Sequence, residues 1–436
     1  MKNIVYTLLL LMALLGVSCD KNDETSAVKA LSITSVWPGS APAGTIVIIN
    51  GKHFSGIREE NQVKFNGAAA VVIEANASQL QVVTPANGTT GVISIAVGQQ
   101  QATGPVFNYT LPPVEYIVST LAGNGTGGSV EGSGTAAQFK NPEGVAVDAQ
   151  GNIIVVDRGN NRIRKISGTN VSAIAGVDAG GFKDGAAATA LFKLPWRSVA
   201  DAAGNIYVAD RDNHRIRKIA ADGTVSTVAG TGTAGFADGP VATAKFNQPL
   251  DVVVDPAGNL YVADNLNHRI RKISIDGTVS TIAGDGTAAF ADGTGTAARF
   301  KNPSGLEIDK DGNLWIADRL NYRIRKITPA GVVTTIAGDG TTGYIDGVAN
   351  AARFADPYGI TLDKDGNIVI ADLSNNKIRL IAGGQVSTIA GTSSGFSDGP
   401  GSAAQFNQPT DVCMDAAGNI YVADLGNHRI RKIVKK

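Results

Sequence analysis

The residues of this chain with the widest chemical range stand at two positions of a sequence that otherwise repeats itself. Just after a proline that recurs six times, the chain reads Glu143-Gly144, Trp196-Arg197, Leu250-Asp251, Ser304-Gly305, Tyr358-Gly359 and Thr410-Asp411. Directly behind an aspartate that also recurs six times stand Arg158, Arg211, Asn265, Arg319, Leu373 and Leu425. Brought together, these side chains would offer two aromatic faces, several carboxylates and several guanidinium groups. Aromatic faces stack on sugar rings, and Asp, Asn and Arg bridge adjacent hydroxyls. The chemistry is that of a site for a carbohydrate or another small polar ligand. Trp196, Arg197, Tyr358, Glu143, Asp251, Asp411, Arg158, Arg211, Asn265 and Arg319 are therefore the candidate binding residues. Drift at solvated positions would produce the same variety, and the sequence leaves both readings open. Glu143, Asp251 and Asp411 are the only carboxylates at the proline-following positions, too few for calcium, which takes six to eight oxygens. No Ser–His–Asp or H-E-x-x-H pattern is present, so no catalytic residue, metal or other cofactor is expected.

The elements that must position these residues are read from the repeat. Its clearest copy is D-V-V-V-D-P-A-G-N-L-Y-V-A-D-N-L-N-H-R-I-R-K-I (251–273), followed by V-S-T-I-A-G (279–284). The aspartate that ends the second apolar run recurs as Asp157, Asp210, Asp264, Asp318, Asp372 and Asp424, at intervals of 53, 54, 54, 54 and 52 residues. A period this regular marks a repeat architecture. Each copy holds four short runs rich in β-branched residues and broken by Gly, Asn, Asp or Pro, the pattern of strands. D-x-x-G-N, as in Asp255 to Asn259, joins the first two as a tight hairpin, with Asp capping the turn and Gly at positive φ. D-x-x-N-x-R joins the second and third. Four such strands form a sheet that is apolar on both faces and needs neighbours to cover it. Six arranged radially make an all-β, six-bladed propeller with no long exposed edge.

The ends of the repeat predict how the ring closes. The fourth-strand motif appears at 118–123, before any first strand, and the last copy stops after its third strand, Arg429 to Ile433. Segment 118–123 is therefore expected to complete the last blade, burying Val118 and Leu121.

The motif P-x-G-V-x-V-D…G-N-I-x-V-A-D-x-x-N-x-R-I-R-K-I resembles the NHL repeat family over residues 117–436. The resemblance implies a six-bladed propeller used mostly for binding. The chain departs from that family by a longer link between blades, G-x-x-G-F-x-D-G-x-x-x-x-A-x-F. This insert and the D-x-x-N-x-R hairpin are expected on one face, the top. Residues repeated in every copy read as structural. Glu131, Asp184, Asp238, Asp292, Asp346 and Asp398 read as turn caps. Phe139, Phe192, Phe246, Phe300, Phe354 and Phe406 read as plugs between blades. Asp210 with Arg215, and their equivalents, read as ion pairs bracing a hairpin. His214, His268 and His428 share a hairpin position and read as solvated, spread around the ring rather than converging on a metal.

Residues 1–18 hold Lys2 and an apolar run from Ile4 to Leu15, too short to span a bilayer, as in a secretion signal. Leu15-Gly16-Val17-Ser18-Cys19 resembles a bacterial lipoprotein cleavage site, which implies a lipid on Cys19. The polar tether over 19–29 begins Cys19-Asp20-Lys21-Asn22-Asp23-Glu24, similar to the acidic export signals of surface lipoproteins in glycan-foraging Gram-negative bacteria. Residues 30–110 contain about seven short alternating segments, the pattern of a β-sandwich. The spacing of Pro38, Gly44, Thr45, Gly51, Phe54, Phe65, Gly67, Pro85 and Gly91 resembles the IPT/TIG immunoglobulin-like family, whose domains commonly serve as spacers. A short link spans 111–116, stiffened by Pro112-Pro113. Lys+Arg and Asp+Glu are equal at 38 each, so no basic field points to nucleic acid. With Cys19 acylated, Cys413 is left as a core thiol.

The expected protein is a non-catalytic lipoprotein of the outer membrane, facing outward, that captures a glycan or similar ligand through the propeller's top face. Two alternatives stand beside it. One is a scaffold for an outer-membrane transporter or partner lipoprotein. The other is a metal-dependent lyase or lactonase built on the same fold.

Overall fold

The computed structural model describes residues 30–110 and 114–436; the signal, Cys19 and the tether expected over 1–29, with 111–113 of the expected link, lie outside the described residues. The chain divides into two compact units, at Pro113/Val114. In the first unit, a four-stranded sheet (Ser32–Trp37, Ile46–Lys52, Gln79–Val83, Val71–Asn76) faces a five-stranded one (Ser40–Ala41, Gln100–Tyr109, Gly91–Val97, Asn61–Phe65, Ala68–Ala69). Alternation places Val47, Ile49, Leu80 and Val82 inward against Phe65, Ile93 and Phe107. Phe65 meets Phe107 edge to face at 5.0 Å. Two layers around one apolar core make this a β-sandwich.

The second unit is six sheets, each of five strands. In blade 3 the order from the axis outward is Pro249–Val254, Leu260–Asp264, Arg269–Ile273, Thr278–Ala283 and Gly239–Pro240. Each innermost strand packs against the next, and Pro409–Met414 of blade 6 packs against Pro142–Val147 of blade 1, closing the ring. The first hairpin forms as its sequence dictates. Asp255 accepts hydrogen bonds from the Asn259 backbone N–H and Nδ2, and Gly258 takes φ +86°. The fifth strand was not anticipated. It is the Gly-x step of each insert, laid along the outer edge of the blade that follows and paired with its fourth strand. The insert thus covers a sheet edge as well as linking blades.

Closure follows the expected route. Tyr116–Ala122 pairs antiparallel with Arg429–Lys435, matching Val118 to Ile433 and Thr120 to Arg431. Val118 and Ala122 are fully buried, whereas Leu121 is half-buried. The anchoring side chains are therefore Val118 and Ala122, because a two-residue alternation cannot bury both Val118 and Leu121 on one face.

The polar repeat residues form a buried clamp. In blade 3, Arg271 lies between the Phe236 and Phe246 rings, 4.8 and 5.3 Å from their centroids. Its guanidinium bonds to Asp264 at 2.7 Å and Asp238 at 2.5 Å. Asp238 also accepts the Thr281 N–H, so it ties third strand to fourth and is no mere turn cap. The expected Asp210–Arg215 pair is corrected likewise. Asp210 binds Arg217 at 2.8 Å, while Arg215 donates to the Asn213 and Thr231 carbonyls. Arg217 reaches inward, where a buried carboxylate has no water to solvate it; Arg215 sits at the hairpin's outer end, where carbonyls are free. The six insert phenylalanines are fully buried, as plugs should be. The hairpin histidines are half-buried bridges between blades rather than solvated groups. His214 Nδ1 accepts the Gln248 N–H at 3.1 Å, and His268 and His428 do the same for Asn302 and Asn141. Burial holds their pKa values below the ordinary histidine range, which keeps Nδ1 free to accept.

Blade 1 breaks the clamp. Glu131 replaces the insert aspartate and accepts the Ala173 N–H, but the buried Arg164 Nε has no hydrogen-bond partner among the described residues. Two outcomes follow. Glu131→Asp, one methylene shorter, is expected to restore that bond and raise stability by about 1 kcal/mol in urea unfolding; an unchanged midpoint would contradict it. Deleting 114–122 removes a whole strand, with Val118 alone contributing roughly 1.5–3 kcal/mol. A fall in melting temperature and loss of near-UV circular dichroism are expected, and retention of both would refute closure by this strand.

Candidate ligand-binding site

The six innermost strands converge on the ring axis, so equivalent residues form layers across the channel. The first layer holds Glu143, Trp196, Leu250, Ser304, Tyr358 and Thr410. Trp196 and Tyr358 come from opposite blades, and Trp196 Nε1 donates to Tyr358 Oη at 3.0 Å. With Leu250 they form an apolar cluster that spans the axis, joined by Leu373.

The second layer holds Gly144, Arg197, Asp251, Gly305, Gly359 and Asp411. Arg197 is 1% exposed. Its Nε lies 3.1 Å from Asp411, its Nη1 lies 3.5 Å from Asp251, and its Nη2 donates to the Thr410 carbonyl at 2.6 Å. Its guanidinium also covers one face of Tyr358, 4.8 Å from the ring centroid. The glycines make room for it. A Cβ on Gly359 would stand 2.4 Å from Asp411 Oδ1, and one on Gly305 would stand 3.2 Å from Arg197 Nη1. Each aspartate carries a second duty. Asp251 accepts the Leu306 N–H of blade 4 and Asp411 accepts the Val145 N–H of blade 1, both at 2.9 Å.

Above the first layer lies the mouth, built from residues behind the second-strand aspartates. Arg158 and Arg211 lie over Trp196 at 4.8 and 4.4 Å, and Arg319 lies over Tyr358 at 4.8 Å. Such cation–π contacts hold a guanidinium in place over the ring. Arg319 is clamped by Asp356 at 2.6 and 3.1 Å. Arg211 is held by Asp212 and Gln248, both at 2.8 Å. Arg158 meets Glu143 at 3.4 Å, and none of its nitrogens makes a hydrogen bond among the described residues. These three side chains remain 22%, 23% and 31% exposed, in the order Arg158, Arg211, Arg319. Asn265 is buried, bonding the Pro303 carbonyl and Asn302.

Nine of the ten candidate residues are thus joined in one assembly, while Asn265 bonds only Pro303 and Asn302, and the roles differ from those expected. Trp196 and Tyr358 are 7% and 3% exposed and lie beneath guanidinium groups, so they are the floor of the mouth and not open platforms for a sugar. Asp251 and Asp411 hold Arg197, whereas Glu143 Oε2 faces Arg158 at 3.4 Å and is buried without a hydrogen-bond partner among the described residues. Asp356 and Gln248 escaped the sequence reading. Their signal was present, since the residue before the repeat proline also varies: Asn141, Leu194, Gln248, Asn302, Asp356, Gln408. Deeper in the channel Glu307 accepts hydrogen bonds from the Ile308 N–H and Thr361 Oγ1, with no cationic partner among the described residues.

Burial raises the pKa of Glu143 to about 7, against the opposing pull of Arg158 and Arg197. Asp251 rises to about 7 and Asp411 to about 6, because both are desolvated and two carboxylates share one guanidinium.

Comparison with known proteins agrees with this architecture. Residues 31–111 match the IPT/TIG domain, and residues 139–166, 192–219, 246–273 and 406–433 match the NHL repeat. The chain thus carries an IPT/TIG domain and, in four of the six blades of its propeller, NHL repeats. Over 339 residues it is 31% identical to NHL repeat-containing protein 2 of Bos taurus, covering 66% of this chain and 46% of that one. The chain spans between 10% and 59% of the length of the curated relatives it matches. Among solved structures it resembles a protein of unknown function from Bacteroides thetaiotaomicron, with a TM-score of 0.57 and 21% identity over 94% of this chain and 99% of that one. It also resembles an auxiliary nutrient binding protein from the same organism, with a TM-score of 0.57 and 17% identity over 94% and 98%. At these identities the likeness is one of fold.

Asp251 and Asp411 dictate a pH dependence. Their folded pKa values lie above the unfolded value of roughly 4. The folded state therefore binds more protons between about pH 4 and 7, and the contribution present at low pH is lost as pH rises through 6 to 7. Unfolding free energy is expected to fall between pH 5 and 8, with Glu143 contributing in the same direction. Asp251→Asn, leaving one carboxylate per guanidinium, flattens that slope in urea titrations; an unaltered slope would contradict the shared arrangement.

Proposed function

We propose that this protein is a non-catalytic binder, held at the outer surface of the cell by a lipid on Cys19, that captures an extracellular glycan bearing acidic groups at the propeller's mouth. The observation that carries this reading is the set of three guanidinium groups, Arg158, Arg211 and Arg319, stacked over buried aromatic rings at the mouth and each still partly exposed. An arginine fixed in orientation loses little entropy on binding and matches a carboxylate in two-point geometry. A hydroxyl beside such a group finds an acceptor in Asp212 at the same rim. The fold shared with an auxiliary nutrient binding protein is in keeping with a capture role. A metal-dependent lyase or lactonase is the second reading; among the described residues no three His, Cys, Asp or Glu side chains are grouped so as to hold a metal ion. A transporter or second lipoprotein that receives the ligand belongs to the same proposal.

The test is calorimetry of the mature protein against uronate-containing and neutral oligosaccharides. Binding of the acidic set is expected, weakened at least tenfold by Arg158→Ala or Arg319→Ala, reduced by salt and indifferent to chelator. Equal affinity in wild type and both variants would remove the mouth as the site.

A further inference from the structure

The blades also disagree on the face opposite the mouth. In four of them the second strand carries an aromatic residue there, Tyr207, Tyr261, Trp315 or Tyr421. Each donates to the aspartate that opens its hairpin, Asp201, Asp255, Asp309 or Asp415, at 2.9–3.3 Å. Each also lies under a third-strand lysine, at 4.9–5.8 Å. These rings pack toward the following blade. Blade 5 replaces both members of the pair at once, with Val369 for the ring and Leu380 for the lysine. Blade 1 has Ile154 but keeps Lys165.

A cleft of about 450 Å³ lies at this place between blades 5 and 6. Leu362, Val369, Leu380 and Met414 line it, with Tyr116 of the closing strand and Asp363 at its edge. Asp363 keeps its hairpin bonds to Asn367 and Asp365, but the ring donor found in four other blades is missing. Burial and the Asp363 charge hold the Tyr116 phenol above its ordinary pKa, so a neutral hydroxyl faces the same space. A cleft of about 530 Å³ occupies the corresponding place between blades 3 and 4, but its wall is the Tyr261–Lys272 pair.

We propose that the cleft between blades 5 and 6 is a second binding site, for a small aromatic molecule carrying a hydrogen-bond donor, a phenol or an indole. Blades 2, 3, 4 and 6 act as a mould for this ligand, because each supplies from its own chain the ring and donor that blade 5 lacks. The apolar wall takes the ring face, and Asp363 accepts from the hydroxyl or ring N–H. Leu380 in place of lysine removes the charge that would otherwise occupy the ring's face. The site is independent of the mouth and of the glycan reading.

The test uses 4-methylphenol, indole and toluene as probes, with the mature protein followed by ligand-observed NMR titration. One molecule of 4-methylphenol or indole per chain is expected, with toluene at least tenfold weaker for want of a donor. Val369→Tyr installs the residue that three other blades already carry; it should fold with an equal or higher melting temperature and bind the phenol at least tenfold more weakly. The converse pair, Tyr261→Val with Lys272→Leu, should create a second site and raise the stoichiometry from one to two. No binding by the wild type at millimolar probe, or equal binding by Val369→Tyr, would overturn the proposal.

Discussion

A propeller leaves its innermost strands with no neighbour on the axis side, so their backbone N–H groups must find acceptors from somewhere else. Here Asp251 and Asp411 supply them, reaching to Leu306 and Val145 of the next blade around the ring. Two buried carboxylates would be untenable without a counter-charge. Arg197 provides it, extending from blade 2 into the axis and meeting both. The same guanidinium covers Tyr358, whose hydroxyl accepts from Trp196 on the opposite side. The bottom of the mouth is thus sealed by one connected assembly, and the three outer arginines rest on it.

That arrangement explains why the channel residues vary between copies while the rest repeats. A single arginine fills the space of several blades, so its neighbours must be glycine, and only two positions have reason to be aspartate. Six identical residues could not do this, because six guanidinium groups or six carboxylates on one axis would repel. Asymmetry at the axis is therefore a packing requirement as well as an opportunity for binding. The off-axis clamps face no such conflict. Each Arg271-type guanidinium sits within its own blade and insert, so the same solution recurs from blade 2 to blade 6 and fails only where Glu131 replaces aspartate.

Much of this was legible in the sequence. The period, the Asp255–Asn259 turn, the buried insert phenylalanines and the displaced strand at 118–123 all follow from local rules, and local rules do not depend on what lies across the axis. The varied positions after the repeat proline did point to the channel. What could not be read was orientation. A tryptophan and an arginine on neighbouring residues look like two offers to a ligand, whereas across a closed ring they are offers to each other. The same blindness placed Asp210 on Arg215 rather than Arg217, since only the depth of burial separates the two. The insert's extra strand was invisible because two residues carry no period.

The central claim is that Arg197 neutralises Asp251 and Asp411 and so holds the floor of the mouth in place. A double-mutant cycle in urea unfolding, pairing Arg197→Met with Asp411→Asn, tests it most directly. The single Arg197→Met change should cost about 3–5 kcal/mol, since it leaves two buried carboxylates unpaired. Adding Asp411→Asn should then cost less than it does alone, giving a coupling energy of at least about 1 kcal/mol. Full additivity, with Arg197→Met as stable as the wild type, would contradict the account.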